Sequence, residues 1–312
     1  MTSQPLSSEY KSDSVALGIL LMIGFCFLAP LLDVFAKLAS EKVSVGQITT
    51  VRFVGQACIM AFIILLLRKP ILITSQYLFP LFARAIFLII ATYCFFLAIR
   101  TMPIADAVAI VFFEPFIILL IGKFYFRDAV GIRRLLASVF GFIGVIFVIK
   151  PSFMNFGFVA LYPLGTALGF ALYIVITRSL SRYLDPIQLQ FQTALLGSII
   201  CLPLLCIGSA LSVPSLDIVM PKGIFWFWLL GVAIFGTISH LFISFALKFA
   251  SSTTLAPISY IEILSSVFLG FLVFKDLPDP TAVFGMILIV LSGIYVFLRE
   301  KSLEKFKQSS IN

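Results

Sequence analysis

Residues 98–128 read AIRTMPIADAVAIVFFEPFIILLIGKFYFRD, and residues 246–276 read ALKFASSTTLAPISYIEILSSVFLGFLVFKD. Laid over one another at an offset of 148, Ala98-Ile99-Arg100 falls on Ala246-Leu247-Lys248, Glu114 on Glu262 and Gly122 on Gly270. Phe126 then meets Phe274, and Arg127-Asp128 meets Lys275-Asp276, without a gap. Chance alignment of two apolar segments would match Leu and Phe; it would not also set Glu on Glu and Asp on Asp. After a one-residue shift Gly144-Val145 meets Gly293-Ile294 and Lys150 meets Arg299. Earlier in the chain an offset of 141 pairs Gly24 with Gly165, Lys37 with Arg178 and Gln47 with Gln188. The seven-residue difference falls in the stretch Gly208 to Lys222, where a loop insertion is cheap. The chain is an internal repeat.

Composition says what medium the repeat lives in. Of 312 residues 61% are hydrophobic and 12% charged, with a mean hydropathy of +1.16. A soluble domain carries about 25% charged residues, so this chain has too little charge to cover a water-facing surface. The 35 phenylalanines read as lipid-facing surface rather than as an aromatic binding box. The net charge of +8 forms no basic stripe with interleaved aromatics, which argues against a nucleic-acid partner. Five cysteines, all within apolar runs and none in a CxxC, stand beside a single histidine. No zinc set can be built from them, and they read as small buried hydrophobes. No metal and no cofactor are expected.

A spanning helix needs about 20 mostly apolar residues. Runs of that kind occur at roughly 15–38, 46–67, 78–99, 102–122, 131–149, 157–177, 187–207, 224–247, 252–274 and 281–298. The fold class expected is therefore an all-α polytopic membrane protein with ten transmembrane helices. The run after the polar N-terminus is too long for a signal-peptide core and reads as the first span. With the N-terminus in the cytoplasm, 15 of the 22 Lys and Arg residues fall on the inner side and 7 on the outer, as the positive-inside rule requires. Each repeat then holds five helices, an odd number, so the two copies must be inverted across the membrane. The expected layout is a cytoplasmic tail at 1–14, a first five-helix repeat at 15–150, a second at 157–299 and a cytoplasmic tail at 300–312. The expected location is a bacterial inner membrane.

The motifs Phe96-x-Ala98-x-Arg100-x-Met102-x-x-Ala105-Asp106-Ala107, Glu114-Pro115 and Gly141-Phe142-x-Gly144-Val145 resemble the drug/metabolite transporter superfamily, in its ten-helix EamA-type members. Leu255-Ala256-Pro257-x-x-Tyr260 and Leu272-Val273-Phe274 agree in the second half, as do Lys37 and Arg52-Phe53 in the first. Asp128 and Asp276 stand where that family more often has Glu. The resemblance covers nearly the whole chain and implies transport; such proteins move amino acids, S-adenosylmethionine, riboflavin, nucleotide sugars and drugs.

Ionisable residues inside spans are expensive, so each is a candidate for function. Glu114, near the middle of helix 4, and Glu262, near the middle of helix 9, are mates in the repeat and should both approach the interface between halves. Pro115 should kink helix 4 beside them. A structural glutamate, protonated and hydrogen-bonded between helices, is the plainer alternative. Asp33 and Lys37 are four apart on helix 1, with Arg52 at similar depth on helix 2. Together they form a candidate outer gate or anion site, or an interfacial salt bridge. His240 is the one histidine, a proton carrier or a structural donor. Tyr93, Tyr173 and Tyr260 can offer ring and hydroxyl to a substrate, or can simply pack. Arg100, Lys150, Lys248 and the C-terminal Lys301, Lys305 and Lys307 lie at or beyond span ends and read as topology determinants, while Arg84 is counted among the inner-side charges.

The functional expectation is a secondary transporter working by alternating access through a central cavity. Its substrate is a small polar or amphipathic metabolite: amino-acid-like, S-adenosylmethionine-like or vitamin-like. Membrane lipid and a coupling proton are the other expected partners. No Walker motif is present, so gradients or exchange must drive it. The alternatives are a channel, which would need a ring of like charges or a carbonyl filter, and an intramembrane enzyme. An enzyme would need a nucleophile with its base, and neither H-E-x-x-H nor G-x-S-x-G occurs.

Overall fold

The computed structural model describes residues 12–70, 75–124, 132–180, 183–250, 255 and 258–309. Phe126, Arg127, Asp128, Arg182 and the Ala256-Pro257 motif lie outside the described residues. Among those described, every regular element is helical. The helices are α1 (Ser12–Ala39), α2 (Val45–Leu66), α3 (Leu78–Ile99), α4 (Ile104–Val111), α5 (Glu114–Phe124), α6 (Ile132–Phe156), α7 (Tyr162–Leu180), α8 (Pro186–Ala210), α9 (Phe225–Phe249), α10 (Ile261–Phe274) and α11 (Pro280–Ser309). Six helical stretches are long and apolar enough to cross a membrane, one of them running from Val139 to Leu180 through both α6 and α7, and α10 and α11 add shorter apolar segments. Large apolar side chains such as Phe62, Phe79, Leu204 and Phe268 are exposed all round the bundle. This surface suits lipid, and the chain is an integral, multi-pass membrane protein.

Helix ends follow local chemistry. Ser44 caps α2 by accepting from the Gln47 amide, and Asp185 caps α8 by accepting from the Ile187 amide, with Pro186 in the first turn where no amide hydrogen is needed. α10 stops at Lys275, which takes a left-handed conformation at φ 60°, and the Asp276 amide then closes back on the Gly270 carbonyl. Asp185 also receives Lys69 at 2.8 Å and Lys248 at 3.7 Å. Burial pushes its carboxyl up, but the Lys69 hydrogen bond, the Ile187 amide and the charges of both lysines outweigh this and hold it below the usual carboxylate range.

The helices pack in pairs: α1 against α9, α3 against α7, α2 against α8 and α6 against α11. Lipid offers no hydrophobic drive between helices, so close backbone approach matters most. At the α6–α11 crossing Gly144 and Gly285 face each other so closely that a Cβ on Gly144 would sit 2.8 Å from the Gly285 carbonyl. The largest buried apolar cluster gathers the C-terminal ends of α1 and α3 with the N-terminal ends of α2, α4, α9 and α11, through Ala36, Val45, Ile99, Ile104, Val232 and Met286. The stretch after α8 lies across this end: Ser44 donates to the Asp217 carbonyl, and Gln47 exchanges two hydrogen bonds with Val219.

Three sequence expectations need correction. The span at 102–122 is not one helix, because it breaks at Phe112-Phe113 between α4 and α5. Pro115 supplies no amide hydrogen and its ring opposes the preceding turn. Glu114 therefore sits in the first turn of α5, and Glu262 sits in the first turn of α10 just after its N-cap Tyr260; neither is mid-helix. The cysteines are not uniformly buried: Cys26 and Cys201 are, whereas Cys58 and Cys206 are exposed on the helical surface.

Candidate functional site

A cavity of about 300 Å³ lies among these helices. Its walls are mostly apolar and aromatic, including Phe25, Phe95, Phe112, Phe116 and Phe170, and its polar lining includes Asp33, Arg52, Thr92, Glu114, His240, Tyr260 and Glu262. The lining runs toward the N-terminal end of α1, through Met22, Leu247 and Leu255; the opposite end is filled by the large apolar cluster.

Glu114 and Glu262 enter from the two helix starts. Glu262 lies within electrostatic reach of both Glu114 and Asp33, and Asp33 within reach of Arg52. One residue pair before the glutamates, the rings of Phe112 and Tyr260 stack with centroids 5.1 Å apart. Gly293 leaves the space that the Tyr260 ring fills. These contacts bring α4, α5, α10 and α11 together at one depth.

The other side of the cavity is basic. Arg52 on α2 donates to Thr92 of α3 through Nη1, and its Nη2 lies 2.5 Å from His240 Nε2 on α9. A guanidinium has only donors, so Nε2 must accept and the ring proton sits on Nδ1. That nitrogen faces the Tyr173 hydroxyl at 3.4 Å. Tyr173 in turn accepts from Arg84 Nη2 at 2.7 Å. Arg84, fully buried, also donates to Thr177, Thr193, Gln190 and the Leu189 carbonyl, and stacks over the Tyr173 ring. The chain Arg84–Tyr173–His240–Arg52–Thr92 thus ties four helices together, α2, α3, α7 and α9.

The expected cluster of Asp33, Lys37 and Arg52 is divided. Asp33 and Arg52 line the cavity, while Lys37 turns away to Asp276 at 2.9 Å and to the Met102 carbonyl at 3.0 Å, over the Phe274 ring. Four-residue spacing put Asp33 and Lys37 on one helix face, but the turn after α10 delivers a carboxylate closer to the lysine. Of the three tyrosines only Tyr260 lines the cavity. Tyr173 is buried behind it, and Tyr93 donates to Ser215 at 2.8 Å. Sequence reading missed Arg84, counting it only among the inner-side charges. The available signal was its position inside an apolar run, with Leu-Phe-Ala before it and Ala-Ile-Phe-Leu after it. Thr92 carried no signal in the sequence.

The profile of the EamA-like transporter family matches residues 16–150 and again 157–298. An S-adenosylmethionine uptake transporter of Rickettsia felis is 23% identical over 281 residues, 89% of this chain and 91% of that protein. A pseudopaline exporter of Pseudomonas aeruginosa is 25% identical over 287 residues, 90% of this chain and 96% of its own length. A riboflavin transporter of Brucella anthropi is 26% identical over 207 residues, 65% of this chain and 70% of that protein. One crystal structure superposes with a TM-score of 0.63 at 17% identity, over 94% of this chain and 99% of its own.

Proposed function

The chain belongs to the EamA-like transporter family, and from that premise we propose that it is a secondary transporter for a small polar or amphipathic metabolite, working by alternating access through the central cavity. The observation that carries the reading is the meeting of Glu114 and Glu262, mates in the repeat, in one cavity. Two carboxyl groups at that depth are costly unless both face a substrate or a proton path. Small-molecule transport is also what the names of its relatives describe, with uptake and export both among them.

Ten spans in two inverted five-helix repeats is the architecture that goes with this reading. α1, α2, α3, α4 with α5, and α6 form the first repeat. α7, α8, α9, the segment entering α10, and α11 form the second. The packing supports the two-fold: exchanging the repeats turns the α1–α9 contact into the α7–α3 contact and maps α2–α8 and α6–α11 onto themselves. The stacked Phe112 and Tyr260 are themselves a repeat pair. The Lys and Arg distribution supports cytoplasmic termini, and an inner membrane is the location that goes with them in this reading. On that orientation the cavity extends toward the cytoplasm and the outer end is closed, with Lys37–Asp276 tying α1 to α10 across it.

The test replaces Glu114 and Glu262 with Gln in cells supplied with labelled amino acids, S-adenosylmethionine and riboflavin. At least one replacement is expected to abolish net uptake without lowering the amount of protein in the membrane. Full transport by the double variant with unchanged pH dependence would overturn the proposal.

A further inference from the structure

We infer that Arg52 is the anion-binding subsite of the cavity, so that the substrate is a zwitterion whose carboxylate docks on Arg52 while its cationic group lies toward Glu262 and Glu114. The inference rests on the transport reading of the same cavity. It begins with a charge that has no counter-charge. Arg52 is 3% exposed and lines the cavity, yet its hydrogen bonds go to neutral acceptors, Thr92 and His240. Its Nε has no acceptor, and no carboxylate among the described residues lies within ion-pairing distance of it. Asp33 acts on it only from farther away.

Behind Arg52 stands a second unpaired guanidinium. Arg84 is satisfied entirely by hydroxyls, an amide and a carbonyl, and it is joined to Arg52 through Tyr173 and His240. Burying two cations in one network without a carboxylate is expensive. An anion arriving at Arg52 would supply the missing charge. Thr92 and His240 hold the guanidinium by its two Nη atoms, which fixes the plane of the fork and leaves it donors to spare; a planar fork is what recognises a carboxylate in two-point fashion. His240 and Tyr173 are positioning residues in this scheme.

Glu114 and Glu262 bring acidic groups into the same space from other helices. Among the described residues Asp33 is the carboxylate whose charge reaches Arg52; Glu262 senses Asp33 and Glu114, and those two glutamates enter from α5 and α10 rather than from α2, α3 and α9. A cavity of about 300 Å³ is at the small end of ligand sites, so one molecule of modest size must meet both Arg52 and the carboxylates. The aromatic walls of the cavity suit an apolar or aromatic body. A substrate carrying only a cation would leave Arg52 unmatched, and one carrying only an anion would face the carboxylates.

The experiment uses the full-length protein in nanodiscs, with matched triplets as ligands: phenylalanine, phenethylamine and 3-phenylpropionate, and the corresponding sets built on tryptophan and methionine, with S-adenosylmethionine and its decarboxylated form. Binding is read by thermal protection. At least one zwitterion is expected to bind about tenfold or more tightly than its amine and its acid. R52K, which keeps the charge and loses the fork, should lose most of that preference while still binding the amine. T92V, a milder change, should lose part of it. Equal binding of amine and zwitterion to the unaltered protein, an unchanged preference in both R52K and T92V, or no binding by any zwitterion of the panel would overturn the inference. Counterflow in proteoliposomes separates it from the reading it rests on. Zwitterion binding without exchange defeats transport and leaves the subsite. Exchange of singly charged ligands with no zwitterion preference defeats the subsite and leaves transport.

Discussion

Cutting the tie between Lys37 and Asp276 should open the end of the bundle that the Lys and Arg distribution assigns to the outside. Lys37 Nζ serves two acceptors on two other segments, the Asp276 carboxylate at 2.9 Å and the Met102 carbonyl at 3.0 Å. The side chains of the ion pair are 14% and 32% exposed, between a surface pair and a buried one. A surface pair contributes about 0.2–1 kcal/mol, and a hydrogen bond to a charged group about 1.5–3 kcal/mol. We therefore expect K37A to cost the closed arrangement roughly 1.5–2 kcal/mol. D276A should cost roughly 1 kcal/mol, since Lys37 keeps the Met102 carbonyl and gains water. Because about 1.4 kcal/mol is a factor of ten, K37A should raise the open population roughly 10- to 30-fold. The assay is the rate at which a membrane-impermeant maleimide, added to intact cells, labels Leu32→Cys in a protein freed of its native cysteines. Leu32 lines the cavity and is itself 5% exposed. The charge-reversed double variant, K37D with D276K, should recover only part of the closure, because it leaves the Met102 carbonyl without its donor. Equal labelling in the unaltered protein, K37A and D276A would refute the reasoning. So would strictly additive effects in the double alanine variant, which would mean that the pair is not coupled.

Two further outcomes follow from the packing. G144A should lower the thermal stability of the purified protein by about 1–3 kcal/mol, because its Cβ meets the Gly285 backbone. G270A, whose Cβ would meet nothing within 4 Å, should be neutral or mildly stabilising; equal effects would contradict the close α6–α11 crossing. D185N keeps an oxygen to cap α8 but loses the attraction of Lys69 and Lys248, at about 0.5–1 kcal/mol. Asp185 is held below its ordinary range when folded, so its contribution is present at neutral pH and is lost as pH falls through that lowered value. The gap in melting temperature between D185N and the unaltered protein should therefore close on acidification, and a constant gap would show that the carboxylate charge does not matter.

Much of the helical layout was legible in one dimension because the membrane imposes a length on apolar runs. The spans expected at 46–67, 78–99 and 224–247 correspond to α2 (Val45–Leu66), α3 (Leu78–Ile99) and α9 (Phe225–Phe249). Where tertiary ties act on a helix end, the reading fell short. α6 continues past Lys150 and Pro151 to Phe156, with Ser152 buried and donating to Asp106 at 3.1 Å. The candidate site was legible in part: Asp33, Arg52, Glu114, His240, Tyr260 and Glu262 stand out as polar side chains in apolar surroundings, and all of them line the cavity.

Which of those side chains pair with one another is another matter. Sequence alone determined the medium and the family, because hydropathy, charge placement and motif spacing are properties of the chain read in order. It also singled out Glu114 and Glu262, which line one cavity. Only the tertiary structure decided that Lys37 leaves Asp33 for Asp276, a residue 239 positions away, and that Arg52 answers to Thr92 and His240 instead of a carboxylate. It alone joined Arg84 to the cavity through Tyr173. The physical reason is that a buried charge takes whichever acceptors the packing of distant helices brings within about 3 Å, and spacing along one helix says nothing about what the neighbouring helix presents.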